Sequence, residues 1–285
     1  MTDLFGNIDE EGMYQMALAA PLQEKIESAV ALIRSMEFQA LQLSEDGFYV
    51  AFSGGKDSIV MERLFRMAGV KYKAFYNNVT IDPPELVRFI KREYPEVTWN
   101  NVGKHLVSYM ADNKVCGPPT RLIRWCCEIY KEQGGIDSFR AIGVRAAESA
   151  RRKGLWKIVA TDRNTSRPIL CPILYWTDAD VWQFVRDNKM KYCSLYDEGY
   201  TRLGCVGCPM SGPTGMARDF KRWPRYEAMW KRGFKVYFDK YKGVPKRNGD
   251  PRSIEKFPTV DDLWNWWTSG KAYEGESPDC QMWLW

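Results

Sequence analysis

Gly47-Phe48-Tyr49-Val50-Ala51-Phe52-Ser53-Gly54-Gly55-Lys56-Asp57-Ser58, followed by Ile59-Val60-Met61-Glu62-Arg63-Leu64-Phe65, is the stretch that decides the fold. Its opening is a β-prone apolar run, its middle carries two glycines, and its end has a helical apolar spacing. The expected local structure is strand, tight turn, helix. Such a turn aims backbone N–H groups at whatever sits above the helix N-terminus, where the helix dipole favours an anion. Lys56 adds a point charge, and Ser53 and Ser58 add hydroxyls. The spacing differs from the Walker loop, which needs four residues between Gly and Gly-Lys. The plain alternative is a glycine-rich turn with no ligand.

The alternation continues outward. Residues 21–42 carry Glu, Ala, Leu and Ile at helical spacing, which predicts a leading helix. Strands are expected at 48–52, 73–79, 97–102 and 139–144, with helices over 57–67, 83–94, 105–112 and 120–131 between them. Strands separated by helices imply an α/β fold, a parallel sheet flanked by helices. Ligands in such sheets bind beyond the carboxyl ends of the strands. After Gly212 the texture changes. Residues 216–241 are rich in Arg, Lys, Trp, Tyr and Phe, 242–256 read as loop, and 259–269 read as a short helix. The expected division is a helical segment over 1–45, the α/β domain over 46–212 and a C-terminal helical appendage over 213–285. The aromatics of the appendage either pack a small subdomain or grip nucleic-acid bases.

Eight cysteines include two close groups, Cys126-Cys127 and the CxxC of Cys205 and Cys208. Four thiolates from two pairs suit a metal or an iron–sulfur cluster. Structural zinc needs four ligands too, but adjacent cysteines are awkward for a zinc knuckle. Buried free thiols are the remaining alternative. The N-terminus has neither a basic region nor an apolar stretch, and no run approaches a membrane span of ~18 residues, so a cytoplasmic protein is expected. There, cysteine clusters mean metal or catalysis rather than disulfides. The formal charge of +5 fits an anionic small molecule such as a nucleotide and is too mild to argue nucleic-acid binding by itself. His105, the sole histidine, stands apart from every motif and reads as a surface residue.

The loop Ser53 to Ser58, SGGKDS, resembles the PP-loop of the ATP-pyrophosphatase and sulfonucleotide-reductase superfamily. Gly143-Val144-Arg145-Ala146-Ala147-Glu148-Ser149 with Arg152, Pro172-Ile173 with Trp176-Thr177 and Asp180-Val181-Trp182, and Tyr192 to Tyr200 followed by Arg202-Leu203-Gly204-Cys205 are similar to segments of the phosphoadenylyl-sulfate (PAPS) reductase family. The resemblance implies an adenine nucleotide alpha-hydrolase-like fold. It implies an adenine nucleotide (ATP, adenylyl sulfate or PAPS) held by Ser53, Gly54, Gly55, Lys56, Asp57, Ser58 and Arg145. It also implies a [4Fe–4S] cluster on Cys126, Cys127, Cys205 and Cys208. Asp57 is a candidate for a magnesium ion. Arg145 is suited to fork a phosphate or sulfate. Thr177 and Asp180 read as a helix cap.

Two enzymatic readings follow. In the first, a sulfonucleotide reductase, a C-terminal cysteine attacks the sulfur of adenylyl sulfate or PAPS, and a thioredoxin-like thiol donor then frees sulfite. Cys280 is placed for that role, although the Glu-Cys-Gly-(Leu/Ile)-His surroundings usual in the family are absent. In the second, an ATP-dependent sulfur-transfer or adenylating enzyme acts on DNA or tRNA. Its mark is the intact loop with Lys56, which suits a departing pyrophosphate. A nucleotide-binding module without catalysis is a third reading.

Overall fold

A computed structural model describes residues 10–112, 117–162, 165–246 and 248–271 of the 285. Three helices lead: α1 Glu10–Ala19, α2 Leu22–Ser35 and α3 Glu37–Leu43. They are followed by β1 Phe48–Ala51, α4 Lys56–Ala68, β2 Tyr72–Asn78, α5 Pro84–Glu93 and β3 Thr98–Asn101. Next come α6 Leu106–Tyr109, α7 Trp125–Cys127, β4 Arg140–Ala141, α8 Ala150–Leu155, β5 Val159–Thr161 and β6 Pro168–Leu170. Then follow α9 Asp178–Asp187, α10 Gly212–Arg222, α11 Pro224–Tyr241 and α12 Val260–Ser269.

The sheet has six strands in the order β3-β2-β1-β4-β6-β5. β1 runs parallel to β2 and β4, β4 runs parallel to β6, and β5 pairs antiparallel with β6. This is the expected mostly parallel α/β sheet. Phe48, Tyr49 and Val50 are all buried, as a central strand covered on both faces requires. The Phe48 ring packs on Phe65 of α4 at 5.1 Å and on Phe139 at 5.2 Å, so the strand before the loop and the helix after it share one core.

The chain forms two compact units. The first takes the described residues of 1–77, 85–100 and 134–203; the second takes those of 78–84, 101–133 and 204–285. This departs from the linear division expected from sequence. The leading helices pack with the sheet: Arg34 of α2 donates to the carbonyls of Ala68 (2.8 Å) and Met67 (3.1 Å) at the end of α4. The second unit is built around aromatic side chains brought from distant segments. Trp125 and Tyr130 share a core with Phe220, Trp230, Phe234, Trp264 and Trp267. These tryptophans fill an interior, so the packing alternative holds for them.

Three local differences have clear causes. Over 120–131 only α7 is α-helical, running into a π-helical turn at Glu128–Glu132. The Thr120 hydroxyl accepts from the N–H groups of Leu122 and Ile123, closing a turn where the helix was expected to start. The stretch 216–241, whose pattern is compatible with helix, is divided between two helices, because Pro224 has no N–H to continue α10 and instead opens α11. The β5–β6 pair was not foreseen: each strand is three residues long, too short to show an alternation.

α9 is capped as expected. Thr177 Oγ1 accepts from the N–H of Asp180 (3.1 Å), and the Asp180 carboxylate accepts from the N–H of Thr177 (2.7 Å). The same carboxylate takes the buried Lys25 ammonium of α2 at 2.6 Å. Burial alone would raise the Asp180 carboxyl, but Lys25 and the Thr177 hydrogen bonds hold it below its ordinary range. Its stabilising contribution is therefore present above about pH 4 and is lost as pH falls through the depressed folded value. Urea unfolding of Lys25→Met at pH 6 and pH 3 is expected to show a smaller loss of stability on acidification than the parent, by roughly 1 kcal/mol. An equal loss in both would remove Lys25 as the cause.

Candidate functional site

The loop has the geometry its sequence demands. Gly54 has φ +72°, and a Cβ there would stand 2.7 Å from Ile90 and 2.8 Å from Leu86. Only glycine fits both the left-handed backbone and the close approach. Gly55 is the N-cap of α4 with extended backbone, and a Cβ there meets Ser53 Oγ and the Tyr196 hydroxyl at 3.4 Å. Ser58 Oγ donates to the Gly55 carbonyl (2.9 Å) and accepts from Ser53 N (3.2 Å), while Ser53 Oγ lies 3.2 Å from it. The two hydroxyls of the motif thus pin the loop's own backbone.

Lys56 is buried. Its ammonium donates to the Thr201 carbonyl at 2.8 Å and lies 3.2 Å from Asp178 Oδ1, and its backbone N–H donates to the Tyr196 hydroxyl at 2.8 Å. Arg145 is buried as well. Its Nε donates to Asp57 Oδ1 at 2.6 Å and its Nη2 to Asp178 Oδ1 at 3.0 Å. Burial raises the Asp57 carboxyl above its ordinary value, against the pull of Arg145 and Lys56. Gly143, at the end of the β4 segment, lets this happen: a Cβ there would stand 3.3 Å from the Asp57 backbone. The loop residues and Arg145 are therefore together in the first unit, as expected. Arg145, expected to face a ligand, is paired with two carboxylates. The Asp57 oxygen considered for magnesium is held by the Arg145 guanidinium.

Sequence reasoning treated Asp178 and Tyr196 only as parts of matched segments. Asp178 stands in the first turn of α9, and Tyr196 lies in the matched stretch 192–200. Their contact with Lys56 spans more than 100 residues of chain, which no local pattern reveals. Arg152 pairs with Glu148. His105 accepts from the N–H of Val107 at the start of α6, and burial lowers its pKa.

The four clustered cysteines all lie in the second unit. Among the described residues no three or more His, Cys, Asp or Glu side chains stand in a ready-made metal-binding arrangement. The four thiols nevertheless act on one another. The Cys126 thiol is pushed up by its hydrogen bond with Cys127, by burial and by the charges of Cys127, Cys205 and Cys208. That bond pulls Cys127 down, against burial, with Lys131 and Arg124 assisting. Arg124 donates to Cys127 Sγ at 3.4 Å. Burial pushes Cys205 up while Lys131 opposes it. Four sulfurs within mutual electrostatic reach, with two cations beside them, are a donor set that fits a thiolate-bound cluster. Cys171 and Cys193 are buried in the first unit. Cys116 and Cys280 lie outside the described residues.

Residues 47–211, more than half of the chain, match the model of the phosphoadenosine phosphosulfate reductase domain. The chain belongs to this family. An uncharacterised protein of Methanocaldococcus jannaschii is 26% identical over 207 residues, covering 67% of this chain and 42% of that protein. The adenosine 5′-phosphosulfate reductase of Staphylococcus epidermidis is 36% identical over 124 residues, 42% of this chain and 47% of that enzyme. The chain thus spans about half the length of the curated relatives it matches. Among solved structures, the FMN adenylyltransferase of Candida glabrata in complex with FAD and inorganic pyrophosphate aligns with a TM-score of 0.49 at 18% identity, covering 68% of this chain and 69% of that one. No helix among the described residues is long and apolar enough to cross a membrane.

The two loop glycines are expected to behave differently. Gly54→Ala should lose more than about 1 kcal/mol in urea unfolding, because a side chain there opposes both φ and packing. Gly55→Val should stay folded and lose adenine-nucleotide affinity in calorimetry. Full nucleotide affinity in folded Gly55→Val would remove the loop from the binding site.

Proposed function

We propose that this phosphoadenosine phosphosulfate reductase family member is a thiol-dependent sulfonucleotide reductase, which converts adenylyl sulfate or PAPS to sulfite. The observation that carries the reading is the family match over 47–211, which contains both the SGGKDS loop and all four clustered cysteines. The partial likeness to an adenosine 5′-phosphosulfate reductase supports it. Ser53, Gly54, Gly55, Lys56 and Ser58 would line the phosphosulfate end of the nucleotide at the start of α4, with the Lys56 charge opposite its anion. Arg145 would stand beside Lys56 as a second cation for the anion, and Asp57 would fix the Arg145 guanidinium.

In the proposed reaction the Cys280 thiolate attacks the substrate sulfur. A sulfur–sulfur bond forms as the sulfur–oxygen bond to the nucleotide breaks, and the nucleotide leaves with that electron pair. A thioredoxin-like dithiol then attacks Cys280 Sγ, releases sulfite and becomes oxidised to a disulfide, so two electrons pass from the dithiol to the sulfonyl sulfur. Cys126, Cys127, Cys205 and Cys208 would hold a [4Fe–4S] cluster, which would supply a polarisable, redox-capable group. The cytoplasm is the compartment in which such thiols and a dithiol donor stay reduced.

One observation favours a second reading, ATP-dependent sulfur transfer or adenylation on DNA or tRNA. The loop keeps a lysine, Lys56, buried at the helix start, as a triphosphate losing pyrophosphate would require.

Cys280→Ser is expected to abolish sulfite release from adenylyl sulfate and PAPS while nucleotide binding persists. Full sulfite production by that variant, or by a chain truncated at Pro278, would end the role of Cys280. An anaerobic preparation of the full chain should be brown and contain about four irons per chain. A colourless protein with one zinc and no sulfide would show the wrong metal was assigned.

A further inference from the structure

Lys56 and Arg145 share one acceptor atom. Asp178 Oδ1 lies 3.2 Å from Lys56 Nζ and 3.0 Å from Arg145 Nη2. Of the four charged side chains in this group, three are largely buried, with side-chain exposures of 6% for Lys56, 4% for Arg145 and 23% for Asp57. Asp178 is 61% exposed. The group is neutral, with two cations and two carboxylates, and only one member reaches it from solvent. Asp178 is the first residue of α9, whose cap is made by Thr177 and Asp180 and not by Asp178. Its carboxylate therefore has no part in the capping hydrogen bonds.

The geometry points to Asp178 as a displaceable counter-ion of the anion seat: it pairs Lys56 and Arg145 while the loop is empty, and the phosphate or sulfate group of the ligand takes its place. This rests on reading the loop as that seat. An anion oxygen that reaches hydrogen-bond distance of Lys56 comes within about 4–6 Å of the Asp178 carboxylate, where two like charges repel. The exposed side chain has room to turn outward into water, which the buried Asp57 carboxylate lacks. Ligand binding then exchanges one anion for another at Lys56, and the affinity of the loop is set by that competition rather than by the full strength of two free buried cations. Asp178 is thus an affinity-setting residue of the seat: every anion that binds there must displace its carboxylate.

The test is Asp178→Asn in the full chain, which keeps size and the Thr177–Asp180 cap but removes the competing charge. Calorimetric titrations with inorganic phosphate, ATP and adenylyl sulfate are expected to show roughly tenfold tighter binding to the variant for each anion. A merely structural role would weaken binding instead. In a Lys56→Met background the gain from Asp178→Asn should shrink to a few-fold at most, because Lys56 is one of the two cations it frees. Unchanged or weaker binding by Asp178→Asn, with ordinary binding by the parent, overturns the counter-ion role and leaves the loop reading intact. An absence of binding to both proteins overturns the two together.

Discussion

Two cations are buried at the start of α4 and must be paired there. Lys56 and Arg145 come from segments almost ninety residues apart, and a buried unpaired ammonium or guanidinium would cost several kcal/mol. Asp57, Asp178 and the Thr201 carbonyl meet that need. The pairing fixes much of the first unit. It ties the loop after β1 to the segment after β4 and to the first turn of α9. Gly143 lets the chain bearing Arg145 lie close to the Asp57 backbone, where a Cβ would stand 3.3 Å from it. Lys25 and Asp180 anchor the same helix to α2 by a second buried pair. The charged group is therefore largely buried in three of its members and exposed at one carboxylate, Asp178.

The second unit answers a different requirement. Two cysteine pairs far apart in sequence need a scaffold, and the elements bearing them are short and irregular. α7 is a single turn followed by a π-helical turn, and the CxxC lies in a loop before α10. What holds them is the aromatic interior. The Trp125 indole N–H donates to the Gly117 carbonyl, the Trp230 N–H to the Val206 carbonyl beside Cys205, and the Trp267 N–H to the Pro119 carbonyl. Each indole supplies apolar area and also satisfies a loop carbonyl. The carboxyl-terminal helices read as an appendage from their sequence are thus a structural wall behind the thiols.

Local chemistry made much of this legible beforehand. The strand–glycine–helix stretch, the parallel order around it, the Thr177–Asp180 cap and the short helix near the end, α12, depend on local pattern, and each appears as its sequence implies. The loop hydroxyls, Lys56, Asp57 and Arg145 were identified, but their partners were not. Whether Arg145 faces a ligand or a carboxylate depends on Asp178, thirty-three residues later, and the composition of either segment is silent on that. The grouping of 101–133 with 204–271 was equally hidden, because it is set by tryptophans meeting across long separations. The β5–β6 pair escaped notice because three-residue strands carry too little pattern.

Nucleotide placement and sulfur chemistry meet in one measurement. The anaerobically purified full chain is incubated separately with ATP, adenylyl sulfate and PAPS in the presence of a dithiol, and sulfite and pyrophosphate are quantified. The account predicts sulfite from adenylyl sulfate or PAPS and no pyrophosphate from ATP. Pyrophosphate from ATP with no sulfite from either sulfonucleotide would contradict it.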